Sequence, residues 1–116
     1  MTAPLSDEWV AALVAASADR QGRGAGETVA ITIGKTKAAA FAITDGQVAG
    51  PGDPEDAAVT VPVTAAQLDA IVAGETSLAQ DFMRGDVKPV GATGPLLALV
   101  ELFEDEAFRR ELAARL

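Results

Sequence analysis

The chain has 116 residues, 49% of them apolar, the length and composition of one folded domain spanning residues 1–116. Its net charge of −8 repels nucleic-acid phosphates and anionic membrane surfaces, so no nucleic-acid partner is expected. It contains no Cys, His, Tyr or Asn, which excludes disulfides, thiolate nucleophiles, zinc or haem held by Cys or His, His-based triads and N-glycosylation.

The first helix is predicted to begin at Ser6, whose hydroxyl can cap free amides, and to run to about Arg20. Trp9, Val10, Leu13, Val14 and Ser17 fall at helical spacing along it, and Gly22, Gly24 and Gly26 follow its end. Asp7 and Glu8 suit its positive end, and they stand where a secretory leader would carry basic residues. No apolar run approaches the roughly 18 residues of a membrane span. A soluble, cytoplasmic chain without stable membrane insertion is expected.

Residues 29–33 and 38–43 read as strands of period two. Val29, Ile31 and Ile33 alternate with Ala30 and Thr32, and Phe41 and Ile43 alternate with Ala38, Ala40 and Ala42. One sheet face is therefore large and apolar, the other small. Asp45-Gly46 turns the chain into a short strand at 47–49. A Pro- and Gly-rich acidic loop follows, then a strand in which Val59, Val61 and Val63 share a face. Thr64 caps a helix at 65–73 that stops at Gly74, and Ser77 caps a short helix to Arg84 carrying Leu78, Phe82 and Met83 inward. A fifth strand is expected at 86–90, at an edge because Pro89 lacks a ladder donor.

Thr93 and Pro95 open the next helix, 96–103. Its apolar residues cover an arc of roughly 220°, well beyond the ~100° stripe of a helix lying on one core, and only Glu101 is clearly polar. The last helix, 105–115, presents Phe108, Leu112 and Leu116 on one stripe, with acids first and arginines last. The order predicts an α+β fold: a five-stranded, mostly antiparallel twisted sheet with helices packed on one face.

No catalytic constellation stands out. Gly34-Lys35-Thr36 lacks the upstream glycine of a phosphate-binding loop and follows a strand without opening a helix, so it reads as a hairpin connection. The glycines at 22, 24 and 26 precede a strand, unlike a dinucleotide fingerprint, and read as a flexible linker. Asp53, Glu55 and Asp56 do not have EF-hand spacing and read as a solvated loop. Of the three serines, Ser6 and Ser77 serve as caps and Ser17 lies inside a helix. The chain is expected not to be an enzyme and to need no metal or other cofactor.

Phe82, Met83, Leu96, Leu97, Val100 and Phe103 belong to two consecutive helices near the fifth strand. They are either ordinary core or the walls of an apolar pocket, for which the adaptable thioether of Met83 is well suited. The segment Phe82-Met83-Arg84-Gly85-Asp86-Val87-Lys88-Pro89-Val90-Gly91 and the apolar run from Leu96 to Leu99 resemble the sterol carrier protein (sterol-binding, type two) domain family. So do Val59-Thr60-Val61-Pro62, Leu68, Gly74-Glu75 and Asp45-Gly46, so that the likeness spans residues 5–116. Pro89 and Ala92 depart from the family pattern, where an aliphatic and an acidic residue are usual.

The resemblance implies a hydrophobic tunnel between sheet and helices that carries a fatty acid, acyl-CoA, sterol or phospholipid without chemical change. It further implies that Leu68, Ile71, Phe82, Met83, Leu97, Val100 and Phe103 line that tunnel. The alternative is a non-catalytic accessory subunit with a closed tunnel, paired with a second copy or an enzyme. Its docking surface would be the small sheet face of Ala30, Ala38, Ala40 and Ala42.

Overall fold

The computed structural model describes residues 2–116. Helix α1 (Asp7–Ala16) starts where expected, with the Ser6 hydroxyl accepting from the Trp9 amide at 3.2 Å. It ends four residues before Arg20. The reason is Ser17: its buried hydroxyl oxygen accepts from the Val48 amide of the neighbouring strand at 2.8 Å, which fixes the helix end against the sheet.

Strands β1 (Ala25–Ile33), β2 (Lys37–Thr44), β3 (Gln47–Ala49), β4 (Val59–Val63) and β5 (Val90–Gly91) form one sheet in the order β3-β2-β1-β4-β5. Residues 34–36 are a plain hairpin turn between β1 and β2. All neighbours are antiparallel except the central pair β1–β4, where Val29 lies opposite Val59 and Ile31 opposite Val61. That parallel pair arises because residues 50–58 cross from the β3 edge past β2 and β1 before β4 begins.

The large sheet face carries the core. Val29, Ile31, Phe41, Ile43, Val59 and Val61 are buried beneath α4 (Thr93–Glu104) and α1. Each such side chain is worth about 1.5–3 kcal/mol on burial. Helix α5 (Glu106–Arg115) packs on α1 and on α2 (Ala65–Ala73) and buries Phe108 and Leu112. The rings of Phe103 and Phe108 meet edge to face at 5.7 Å between centroids. Helix α2 has the expected Thr64 cap, a reciprocal capping box with Gln67, and Gly74 in the left-handed conformation at its end.

The small face is neither bare nor free for docking at its centre. A 3-10 turn at Pro54–Asp56 packs on β1 and β2, the Gly52 amide donates to the Ala40 carbonyl at 2.7 Å, and Ala30 and Ala40 are buried. These alanines are small because the chain's own crossover lies close above them. Ala38 stays exposed and Ala42 half-buried.

Three local expectations change. Helix α3 (Leu78–Met83) turns Leu78 and Asp81 inward, leaving Phe82 and Met83 47% and 86% exposed. The inward position goes to the Asp81 carboxylate, whose Oδ1 accepts from Thr76 at 3.0 Å and from Arg84 at 2.6 Å. Strand β5 is only Val90–Gly91, because the Asp81 carbonyl takes the amides of both Asp86 and Val87 and wraps that segment round the end of α3. Pro89 precedes this edge strand. Helix α4 begins at Thr93 behind Ala92, which makes no side-chain cap.

Candidate functional site

Two spaces border α4. The inner one lies between the large sheet face and the helices, among Ile31, Val63, Leu68, Ile71, Leu99 and Phe103, all apolar. Its volume is about 10 Å³, room for no more than one water molecule. The outer one is an open groove of about 350 Å³ between the start of β1 and the first turns of α4. That volume sits at the lower end of the about 300–1,000 Å³ typical of small-molecule sites.

The groove is built from strand alternation. Val29 and Ile43 point to the helix side and floor it; Pro95, Leu97 and Ala98 of α4 form its far wall. Glu27 stands two residues before Val29, opposite Ile43 in the register, and so reaches the same side. The near wall is Arg23, Gly24 and Ala25.

The expected flexible linker is instead pinned backbone. The Gly22 amide donates to the Asp45 carbonyl at 2.8 Å, the Asp45 amide to the Gly24 carbonyl at 3.0 Å, and the Gly46 amide to the Arg23 carbonyl at 2.9 Å. Gly24 is required here: its φ is +135° and a Cβ would collide with the Ile43 carbonyl.

An ion cluster ties this wall to α4. The Arg23 amide donates to Glu101 Oε1 at 2.8 Å, and Arg23 Nε lies 3.2 Å from Glu101 Oε2. Arg20, largely buried, donates through Nε to Asp105 Oδ2 at 2.7 Å and through Nη1 to the Gly46 carbonyl at 3.1 Å. Partial burial raises the Asp105 carboxyl. The Arg20 hydrogen bond, the Phe108 and Ala107 amides and the Arg20 charge outweigh it and hold the group below the usual carboxylate value.

A second depression of about 370 Å³ lies between α1 and α5, but Asp19, Arg20, Asp105, Glu111 and Arg115 make it a charged surface unsuited to an apolar guest. Among the described residues no group of three or more Asp or Glu is placed to hold a metal ion. Among the described residues no helix is long and apolar enough to cross a membrane.

No family model and no curated protein sequence matches the chain. Solved structures do. A crystal structure of sterol carrier protein 2 superposes with a TM-score of 0.61 at 13% identity, over 97% of either chain. A Thermus thermophilus protein described as possibly a sterol carrier protein gives 0.60 at 14% identity, over 99% of this chain and 91% of its own. The chain has the sterol carrier protein fold. The sec-alkylsulfatase Pisa1 from Pseudomonas sp. contains a similar unit, with a TM-score of 0.50 at 23% identity over 82% of this chain and 14% of the sulfatase.

Within this sterol carrier protein fold the seven residues expected to line a tunnel separate. Leu68, Ile71 and Phe103 surround the inner void, and Leu97 lines the outer groove at 46% exposure. Val100 is half-buried against the core, while Phe82 and Met83 face solvent. The interior between sheet and helices is closed, and the room lies beside it. Val29, Ile43, Pro95 and Ala98 were not anticipated as groove residues. Val29 and Ile43 were legible as large-face residues. What spacing does not report is that β1 extends back to Ala25 through a bulge, which brings residues 23–27 alongside α4.

Proposed function

We propose that the chain binds and carries an apolar small molecule without changing it chemically, with the apolar body lying in the groove between β1 and α4. The observation that carries this reading is the groove of about 350 Å³ itself, on a sterol carrier protein fold: Leu97 stands 46% exposed in its wall, and the buried Val29, Ile43, Pro95 and Ala98 back it with apolar side chains. An apolar body of twenty heavy atoms at about 0.3 kcal/mol per atom gains about 6 kcal/mol, an affinity of tens of micromolar that suits a carrier that must release its cargo. Native mass spectrometry of the purified chain tests the proposal. A retained apolar molecule, lost on organic extraction, is expected; a chain that carries nothing and takes up nothing from a mixed lipid extract contradicts it.

The second reading, a non-catalytic accessory subunit, draws on the closed interior of about 10 Å³ and on the occurrence of a similar unit within the much longer alkylsulfatase chain. Sizing separates the two. A monomer with bound apolar molecule supports carriage; an obligate dimer or a complex with an enzyme, empty of ligand, supports the accessory role.

A further inference from the structure

The charges around the groove do not cancel. Arg23 and Arg20 are both engaged by Glu101 and Asp105, at 3.2 and 2.7 Å, so two cations meet two anions. The Glu27 side chain makes no ion pair or hydrogen bond among the described residues, and it reaches the groove from the helix side of β1. The one other charged side chain among the described residues that line the groove is Arg23, already engaged by Glu101. An apolar guest bound there places its head beside one uncompensated carboxylate, in a chain whose overall charge is −8.

We propose that Glu27 sets the ligand class of the groove: it disfavours anionic amphiphiles such as fatty acids and acyl-CoA, and favours an apolar body with a single cationic head. This inference rests on the binding reading above and narrows it. At the contact distances of a groove this open, one unit charge in near-aqueous surroundings changes affinity several-fold. The difference between a cationic and an anionic head of equal chain length is therefore about tenfold at low salt. It shrinks as ionic strength rises, because the pair is solvent-exposed.

The experiment loads the protein with the neutral fluorophore N-phenylnaphthylamine and displaces it with decyltrimethylammonium, decanol or decyl sulfate below their micellar concentrations. The parent chain is expected to rank them in that order, with about tenfold between the two charged heads. Glu27→Gln brings the ratio close to one. Arg23→Gln, which removes a cation from the groove wall and leaves Glu101 to the Arg20 guanidinium at 3.6 Å, raises it. Glu55→Gln, which changes the net charge as Glu27→Gln does but in the exposed turn on the opposite sheet face, leaves the ratio as in the parent.

Equal displacement by both charged heads in the parent, or a ratio that Glu27→Gln does not move, overturns the assignment of Glu27 while leaving apolar binding standing. Failure of the parent chain to take up the fluorophore at all removes the groove reading, and this inference with it.

Discussion

At the scale of single residues, charged groups hold apolar segments in place. Asp105 accepts from the Phe108 amide as the α5 cap and pairs with Arg20 across 85 positions of sequence. Its carboxyl is held below the usual value, so its contribution is present above the unfolded carboxylate value, near pH ~4, and fades as pH falls through the folded one. Asp105→Asn keeps a capping oxygen and loses the charge. Denaturant melts should show it less stable than the parent by at most about 1 kcal/mol at neutral pH, the difference closing as pH falls below the unfolded carboxylate value. Asp81 is the other such residue. Its side chain is almost wholly buried, Oδ1 accepts from both Thr76 and Arg84, and Oδ2 has no partner among the described residues. Asp81→Ala removes the acceptor shared by Thr76 and Arg84 while keeping the backbone carbonyl that holds the following turn, and a stability loss of about 1–3 kcal/mol is expected from thermal unfolding.

At the scale of elements, caps and alternation were readable in the sequence and rotations were not. Ser6, Thr64, Ser77 and the period-two strands stand where local chemistry puts them, since a hydroxyl one turn before an apolar run has few other uses. The rotation of α3 could not be read locally. Thr76 and Arg84 decide it by drawing Asp81 inward, and so expose Phe82 and Met83. The closed interior likewise depends on how Leu99 and Phe103 meet Ile31 and Val63, a tertiary fit that spacing does not report. The small sheet face is the instructive case: Ala30 and Ala40 signalled close approach correctly, but the approaching partner is this chain's own crossover. Ala40→Leu should therefore cost about 1–3 kcal/mol by overpacking, visible as a lowered midpoint in urea. Leu99→Ala, at the centre of α4 and fully buried, should cost about 2–5 kcal/mol in the same assay.

At the scale of the whole molecule, the chain combines a filled core with an unfilled edge. Helix α4 serves both: Leu96, Leu99, Leu102 and Phe103 seal the sheet, while Leu97 remains half-exposed over the groove. The wide apolar arc of that helix is thereby accounted for, with one side in the core and the other forming a wall of the groove. Glu101 interrupts the arc where the backbone of residue 23 must be anchored. Because Leu97 contributes little to the core, Leu97→Asp should leave the fold intact while placing a solvated carboxylate in the wall. Equilibrium titration of the parent and Leu97→Asp chains with N-phenylnaphthylamine, alongside circular dichroism, is the most direct test of carriage. The parent should bind with a dissociation constant in the tens of micromolar and the variant at least about tenfold more weakly, with unchanged secondary structure. Equal uptake by the two chains, or none by the parent, would contradict it.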